Sequence, residues 1–443
     1  MVSVAVYRDD RLLGRSLTEE EANKGVEQLF MLLQLDNRNK NRKDWNPLGE
    51  FISEGDNVVI KPNFVMHRNL SDERHNDCVT TDPSVLKAVL GYAHRACGDG
   101  GRISVCDVPL QSCDIERLLK EKRLDFGGFS FRVEFIDCRQ EVAVLDGNDV
   151  IVERRKIRGD PRGYTVVDLG RESNLYEISR DYRCYRVTDY DRDAMCEHHN
   201  MEKNEYIIPN TVLEADCILN VPKLKTHKKA GITCCLKNMI GIVGDKSWLP
   251  HHRAGGKLDG GDEYPEGGMG KSFESKAIGL MRQRLPFLWK PARMLHSMLR
   301  RGGADIREGS WYGNDTLWRT ILDINLIMLY FRDGKMNDKI ARKHFAVVDA
   351  VVCAEGEGPL HGISKRAGML IAGADPVATD TIAATIMGFD AGRIPQLSES
   401  RSLKKHPLGT ADITGISYES NMDIMPNLKF MPPQGWREHI ELP

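Results

Sequence analysis

The chain has 443 residues, with 62 basic and 64 acidic side chains and a formal net charge of −2 at pH 7. This near-neutral balance argues against a protein held to nucleic acid or to an acidic membrane by overall charge alone. The 41% hydrophobic content is ordinary for a globular protein and excludes a wholly disordered chain. At about 150 residues per domain, the length predicts two or three domains or one large core with insertions.

The cysteine pattern and the lengths of the apolar runs indicate where in the cell to expect the protein. There are 11 cysteines and no CxxC pair, so the sequence indicates neither a zinc ribbon nor an iron–sulfur motif nor a disulfide framework. The N-terminal residues lack the apolar core of a signal peptide, and no run reaches the about 20 apolar residues of a membrane-spanning helix. We therefore expect a cytoplasmic protein with free thiols.

The period of the apolar residues alternates between strand-like and helix-like. In the N-terminal part it predicts a strand at Val2–Tyr7, a helix after the capping-box spacing Ser16–Glu19, a strand at Asn57–Ile60, a helix from an N-cap at Thr81 to about Cys97, and a strand at Ile103–Val108. Further along it predicts a strand at Asp216–Val221, a helix at Ile232–Val243, strands at Phe345–Val352 and Met369–Ala372, and a helix at Pro376–Met387. Strands separated by helices predict an α/β fold with a doubly wound, mostly parallel sheet in Rossmann-like layers.

Two stretches interrupt this alternation and are predicted to be insertions that form a cap or second subdomain. The predicted division is 1–138 for the N-terminal part of the α/β core, 139–210 for the first insertion, 211–244 for core with a lysine-rich loop, 245–311 for a basic and Gly-rich insertion or lid, 312–416 for the C-terminal part of the core, and 417–443 for a tail.

The strongest chemical signal is the segment Asn220–Thr233. A buried strand ends there, a loop with four lysines and one histidine follows between Lys223 and Lys229, and a helix is predicted directly afterwards. Ligands of open α/β sheets bind beyond the carboxyl ends of strands, and helix N-termini favour anions. The segment therefore predicts an anion site, with a solvated basic loop as the alternative.

Two weaker signals extend this site. Lys61 and Asn63 follow another strand and would face the same crevice, although a surface lysine beside a turn is the alternative. Thr80 precedes a helix, where simple capping is the alternative. The predicted anion-binding residues are Lys61, Asn63, Thr80, Lys223, Lys225, Thr226, Lys228, Thr233, Lys237 and Asn238.

Acidic residues at other strand ends form the third signal. Carboxylates in such positions can bind Mg²⁺ together with a substrate phosphate, or serve as general acid or base. We predict Asp349, Glu355 and His227 as catalytic groups, the last because the pKa of histidine lies closest to neutrality. We predict Asp107 and Glu357 as ligands of a divalent cation.

A basic segment, Lys276–Arg301, contains seven lysines or arginines and no acid, interleaved with apolar residues. Such a segment predicts a peripheral membrane contact, a partner contact or a lid. Pro286 and Pro291 interrupt any single helix, which weighs against the membrane alternative.

Several motifs in order resemble the family catalogued as domain of unknown function 362, over about residues 57–392. They are Lys61–Pro62–Asn63, Thr80–Pro83, Pro222–His227, Gly231–Thr233, Leu236–Asn238, Gly356–Pro359 and Asp375–Asp380. The resemblance implies a bacterial or archaeal cytosolic α/β protein. Some relatives carry appended iron–sulfur domains, whose cysteine runs this chain lacks. Members also occur among polysaccharide-synthesis genes, which agrees with a phosphate- or sugar-nucleotide-like ligand, but no catalytic role is carried over.

Together these observations favour an enzyme of unassigned class that acts on a small anionic substrate, phosphorylated or nucleotide-sugar-like, with a divalent cation as candidate cofactor. One alternative is a redox or metal-handling protein whose ligands are His227, His198, His251 and the cysteines. Another is a non-catalytic ligand-binding or scaffold module docked through residues 276–301. No nucleic-acid partner is expected.

Overall fold

A computed structural model of the chain describes residues 2–13, 17–146, 151–188, 190, 192–266 and 306–443, so the basic segment 276–301 lies outside the described residues. The strands are β1 (Val2–Arg8), β2 (Asn57–Pro62), β3 (Arg102–Asp107), β4 (Val133–Asp137), β5 (Glu141–Leu145), β6 (Ile151–Lys156), β7 (Tyr164–Asp168), β8 (Tyr185–Arg186), β9 (Glu205–Pro209), β10 (Cys217–Val221), β11 (Lys223–His227), β12 (Gly231–Thr233), β13 (His252–Arg253), β14 (Phe331–Arg332), β15 (Lys335–Met336), β16 (Lys343–Glu357), β17 (His361–Gly373) and β18 (Ile416–Ser420).

The α-helices are α1 (Glu19–Leu32), α2 (Pro83–Cys97), α3 (Ile115–Glu121), α4 (Arg192–His198), α5 (Asn210–Leu213), α6 (Cys235–Asn238), α7 (Leu317–Tyr330), α8 (Pro376–Met387) and α9 (Pro395–Ser398). The 3-10 helices are Asp10–Leu13, Asn37–Asn39, Pro47–Glu50, Glu73–Cys78, Phe126–Gly128, Gly170–Glu172, Asn174–Cys184, Met239–Ile242, Lys246–Trp248, Lys257–Asp259, Ala391–Arg393, Glu399–Ser402 and Gln434–Trp436.

The central sheet has the strand order β18-β1-β17-β16-β10-β2-β3-β4, and β11 and β12 branch from β16. Neighbouring strands along this order are parallel, except that β17 is antiparallel to both β1 and β16. The predicted doubly wound, mostly parallel α/β sheet is therefore confirmed.

Helices cover both faces of this sheet because its strands are apolar on both sides. Val58 and Ile60 of β2 pack into the core that contains α1 and α2, while Val59 packs into the core that contains α7 and α8. This alternation follows from the period of two along a strand. Both faces of the sheet are thus covered, and ligands of such sheets bind at the carboxyl ends of the parallel strands.

Two helix starts differ from their predictions by one or two residues. The capping box of α1 is formed by Thr18 and Glu21 rather than by the Ser16–Glu19 pair: the Thr18 hydroxyl accepts from the Glu21 N–H, and the Glu21 carboxylate accepts from the Thr18 N–H. The N-cap of α2 is Asp82, because the hydroxyl of Thr81 is used elsewhere, donating to the carbonyl of Val221 at 2.7 Å. In contrast, α8 spans the predicted residues.

The largest departure concerns the lysine-rich segment, which is a strand and not a loop. β11 lies parallel beside β16 and forms an antiparallel hairpin with β12, and the predicted long helix shortens to α6 followed by the 3-10 helix Met239–Ile242. Lysines are rarely buried in a strand, so their charge pattern is typical of a loop. The alternation of charged and uncharged residues along Lys223–His227 was the available strand signal.

Small two-stranded sheets occupy the stretches predicted as insertions. β5 pairs with β6 and β7 with β9, all within residues 139–210, and β8 of that stretch pairs with β13 of residues 245–311. Within the ranges that the structure describes, no helix has the length and apolar character to cross a membrane.

Candidate functional site

Five lysine side chains gather at the carboxyl-terminal edge of the parallel strands, and we call them the lysine cluster. They are Lys61 at the end of β2, Lys223 and Lys225 on β11, Lys237 on α6, and Lys246 at the start of a 3-10 helix. The first three are at most 1% exposed, Lys246 is 9% exposed, and Lys237 keeps part of its surface open. A buried ammonium group is costly unless it is paired, so the partners of each lysine decide its role.

Lys61 forms a buried ion pair. Its ammonium nitrogen lies 2.8 Å from Oδ1 of Asp107 and donates to the carbonyl of Pro62 at 2.6 Å. The Asp107 carboxylate also accepts from the backbone N–H groups of Phe64 and Val108, at 2.7 and 2.8 Å. Asp107 thus neutralises a lysine and joins the ends of β2 and β3.

Gly241 lies directly over this pair. A Cβ atom at this position would be 2.6 Å from Nζ of Lys61 and from Oδ1 of Asp107, too close for either atom to stay in place. The Gly241 carbonyl also accepts from the N–H of Val108 at 2.9 Å. The close approach of the segment after α6 to the strand ends therefore requires a glycine here.

Lys223 forms the second buried ion pair, 2.8 Å from Oδ2 of Asp349. The Asp349 carboxylate also accepts from the N–H groups of Asp82 and Val351. Burial alone would lower the pKa of Lys223, but the carboxylates of Asp349 and Asp82 outweigh it and raise that pKa. Lys223 is therefore held in its charged form, and Asp349 is engaged as its partner.

The other three lysines of the cluster form no ion pair with any residue that the structure describes. Lys225 donates one hydrogen bond, to the carbonyl of Val79 at 2.6 Å. Burial, assisted by neighbouring ammonium groups, lowers the pKa of Lys225 and of Lys237 to about 7 and that of Lys246 to about 8. The site thus holds three more ammonium groups than ion-paired carboxylates.

Two histidines, the buried His227 and the half-buried His251, border the unpaired lysines. Burial and the neighbouring lysines hold the pKa values of His227 and His251 well below 6.5, so both rings are neutral at pH 7. Nδ1 of His227 accepts from the N–H of Lys229, which places the ring proton on Nε2. Nδ1 of His251 donates to the carbonyl of Leu249, which leaves its Nε2 as an acceptor.

Three buried polar atoms beside the cluster have no hydrogen-bond partner among the described residues: Oδ1 of Asn63, Oγ1 of Thr80 and Oγ1 of Thr233. Thr233 is the register partner of Lys225 across the β11–β12 hairpin, and Thr80 follows Val79, whose carbonyl Lys225 binds. Buried polar groups are nearly always satisfied in native proteins. A bound anion could accept hydrogen bonds from the two unsatisfied hydroxyls and pair with the neighbouring ammonium groups.

Two predicted anion ligands, Thr226 and Lys228, point to other surroundings. Side chains alternate along β11, so Thr226 faces away from Lys225, and its hydroxyl donates to the carbonyl of Gly356 at 2.8 Å. Lys228 lies in the turn of the hairpin, half-buried, and no interaction of the described residues joins its side chain to the cluster.

The structure also does not bring Glu355 and Glu357 to the lysine cluster. Glu355 pairs with Lys365 at 2.8 Å and accepts from the N–H of Met431, and Glu357 accepts from the N–H of Gln434. Both lie on the long β16–β17 hairpin, which extends past the sheet to meet the C-terminal tail. Their carboxylates hold that tail in place.

The helix N-terminus expected to receive an anion is occupied by the protein itself. The carboxylate of Asp380 accepts from the N–H groups of Cys235 and Leu236 at 2.6 and 3.0 Å, and burial raises its pKa to about 6. Cys234, Cys235 and Asp380 are also the one group in the described ranges whose ligand atoms, all within 4.8 Å, could hold a metal ion. The two backbone hydrogen bonds show that the Asp380 carboxylate caps the start of α6.

Lys246 and Gly241 belong to the site but were missed from the sequence. The available signals were a lysine that follows the apolar segment Met239–Val243, and a glycine inside that segment. The 11 cysteines, in contrast, are all free thiols as predicted.

The molecule is thus an α/β protein with a cationic, mostly buried site at its strand ends, and comparison with known proteins agrees with the predicted family. Residues 133–385, more than half of the chain, match the family described as domain of unknown function (DUF362), and the chain belongs to that family. This range includes β11, β12, Lys237, Lys246 and Asp349.

Two further comparisons add little. No curated protein matches the sequence. A crystal structure of a structural-genomics protein from Thermotoga maritima is similar at 12% identity and a TM-score of 0.32, over 82% of this chain and 57% of that one. The chain therefore spans less than two thirds of the length of that protein.

Proposed function

We propose that this protein binds a small phosphorylated molecule at the lysine cluster and acts on it as an enzyme. The observation that carries the proposal is an excess of positive charge in a mostly buried site: buried Lys225 and Lys246 and half-buried Lys237 lie close together without ion-paired carboxylates. The ammonium groups repel one another, and this repulsion lowers the pKa of each lysine. A phosphate dianion would remove this penalty and restore the protonated lysines.

The neighbouring groups suit a phosphate in particular. Thr80 and Thr233 offer buried hydroxyls that can donate to phosphate oxygens, and lysine is a point-charge phosphate binder. The ammonium groups already supply positive charge, so the proposal does not require a divalent cation. Asp107 and Asp349, predicted as a cation ligand and a catalytic group, serve in this proposal to offset Lys61 and Lys223.

The catalytic part of the proposal rests on proton transfer. The pKa of Lys225 lies at about 7 in the free protein, and a bound anion would leave this lysine protonated and able to donate its proton as a general acid. Lys225 is the best placed, because Thr233 is its register partner across the hairpin and its ammonium group binds the carbonyl of Val79, the residue before Thr80. Neutral His227 and His251 would serve as hydrogen-bonding groups.

Calorimetric titration with inorganic phosphate at low ionic strength tests the binding. We expect Lys237→Met to weaken phosphate binding at least about tenfold, since it removes a charged partner from a desolvated site. Lys228→Met is the matched control, because it removes the same charge from the hairpin turn and should leave affinity unchanged. Wild-type affinity in the Lys237 variant, or an equal loss in both variants, would contradict the proposal.

Phosphorus NMR of sugar phosphates and nucleotide sugars incubated with the protein tests the catalysis. We expect the wild-type protein to convert at least one of these compounds, and Lys225→Met to bind it more weakly and to convert none of it even at concentrations that saturate the variant. If the wild-type protein binds these compounds and converts none, the site belongs to a ligand-binding module and not to an enzyme.

A further inference from the structure

Three asparagine side chains beside the lysine cluster form a continuous hydrogen-bonded series, which we call the amide relay. It runs from Asn220 at the end of β10 through Asn238 of α6 to Asn63 after β2. All three are at least nine-tenths buried. The orientation of the three side-chain amides shows which atom at the end of the relay has no hydrogen-bond partner.

The orientation of Asn220 follows from its two fixed neighbours. Its Nδ2 lies 2.9 Å from the carbonyl oxygen of Cys235, which can only accept. The same nitrogen lies 3.4 Å from Nε2 of His344, whose Nδ1 faces the carbonyl of Ala374 at 3.2 Å. Nδ1 of His344 must therefore donate and its Nε2 must accept. Asn220 thus donates one amide hydrogen to the Cys235 carbonyl and the other to Nε2 of His344.

The remaining two asparagines are then oriented in turn. Oδ1 of Asn220 accepts from Nδ2 of Asn238 at 2.8 Å, and that nitrogen also faces the carbonyl of Lys61 at 3.2 Å. Oδ1 of Asn238 is left to accept from Nδ2 of Asn63 at 2.8 Å. The relay therefore ends on Oδ1 of Asn63, a buried acceptor that receives no hydrogen bond from any described residue.

Asn63 is linked to the unpaired lysines through residues that are their neighbours in the chain or bind them by hydrogen bonds. The backbone N–H of Asn63 donates to the hydroxyl of Thr81 at 2.8 Å, and the N–H of Thr81 donates back to the Asn63 carbonyl. Thr80, with its own unsatisfied hydroxyl, precedes Thr81 in the chain, and Lys237 precedes Asn238. The described hydrogen bonds of the Lys61 and Lys225 ammonium groups go to other oxygen atoms and not to Oδ1 of Asn63.

We infer that the ligand itself carries a hydrogen-bond donor and presents it to Oδ1 of Asn63. This inference rests on the proposed function and narrows its substrate class to an anionic group with a hydroxyl or amino hydrogen on it or on an adjoining atom. A hydrogenphosphate ion satisfies this condition, as does a phosphate ester with a neighbouring hydroxyl. Sulfate, which is fully deprotonated at neutral pH, does not. An acceptor left unpaired in a buried site costs affinity, as sites built around a hydrogen bond generally show.

Two pairs of probes separate the two sources of the donor. Calorimetric titration at about neutral pH compares inorganic phosphate with sulfate, and glycerol 3-phosphate with methyl phosphate. We expect at least about a tenfold preference within one pair: for phosphate when the donor is on the anion, or for glycerol 3-phosphate when it is on the adjoining atoms. Binding without a preference in either pair would overturn the inference and leave the proposed function standing. No binding of any probe would overturn the proposed function as well.

The variant Asn63→Ala assigns the preference to the relay. We expect it to reduce the preference to about unity, whereas Thr80→Val should weaken both members of a pair alike, because a hydroxyl can donate or accept. A preference that survives in Asn63→Ala would contradict the inference. If Asn63→Ala does not fold, the wild-type preference remains the deciding measurement.

Discussion

The lysine cluster has two halves that differ in their partners. In the first half, Lys61 and Lys223 each lie 2.8 Å from a buried aspartate that also accepts backbone hydrogen bonds. In the second half, Lys225, Lys237 and Lys246 have no such partner among the described residues, and burial lowers their pKa values.

The difference separates the lysines that are paired with buried carboxylates from the lysines that we propose to bind the ligand. The paired lysines join neighbouring strand ends, so removing one partner would leave an uncompensated charge inside the protein. Burial of the unpaired lysines is unfavourable while they are charged, and loss of their protons or binding of an anion would remove that cost. The two halves should therefore respond in opposite ways to the same kind of substitution.

The largest effect is expected from Asp107→Ala, which leaves the ammonium group of Lys61 buried without a carboxylate. We expect a loss of about 3–5 kcal/mol in the free energy of unfolding, measured by urea denaturation. Lys237→Met is the comparison from the other half and should leave stability unchanged or raise it. Equal destabilisation by the two substitutions would erase the distinction between the halves.

An intermediate effect is expected from Gly241→Ala, which places a methyl group 2.6 Å from Nζ of Lys61 and Oδ1 of Asp107. The paired half has no room for it, so we expect a loss of about 1–3 kcal/mol in the free energy of unfolding. Gly91→Ala in α2, where a Cβ would meet nothing within 4 Å, is the matched control and should be neutral or slightly stabilising. A neutral Gly241→Ala would show that the pair tolerates displacement.

The smallest effect is a pH dependence that belongs to the unpaired half. The pKa of Lys225 and Lys237 is about 7 in the folded protein, against 10.5 for an ordinary lysine, so the unfolded chain binds more protons between about pH 7 and 10. Stability from these groups therefore rises with pH across that window. Anion affinity falls across it, because binding needs the protonated lysines.

Sulfate suits this measurement because its own charge is constant over the window. We expect its affinity to fall by up to about tenfold per pH unit above pH 7 for each lysine that must be protonated. Lys237→Met should flatten the slope as well as weaken the binding. A sulfate affinity independent of pH would show that the unpaired lysines keep their protons in the free protein.

Much of the core was predictable because its elements obey local rules. The strands β1, β2, β3 and β10 and the helices α2 and α8 follow from the apolar period and the capping residues. Both ends of each element were predicted to within two residues. The direction of β17 was not, because pairing partners lie far apart in sequence and an apolar run does not reveal which way its strand runs.

The site divides in the same way. Lys61, Lys223 and Lys225 were expected near one another because they follow strands of one sheet, whereas Lys237, one turn into the predicted helix, could have faced the site or the solvent. The structure brings all four together. Glu355 and Glu357 were expected there by the same argument, but β16 continues past the sheet edge and carries them to the C-terminal tail. Strand length, which depends on what the strand packs against, separates the two outcomes.

The sequence by itself determined the α/β alternation, the excess of lysine after β10 and the family, because these depend on residue type and local spacing. Only the tertiary structure decided which lysines meet a carboxylate, where the amide relay ends and that the lysine-rich segment is a buried strand. Those properties depend on distances between atoms far apart in the chain, from Lys61 to Asp107 and from Lys223 to Asp349, and no local pattern records such distances.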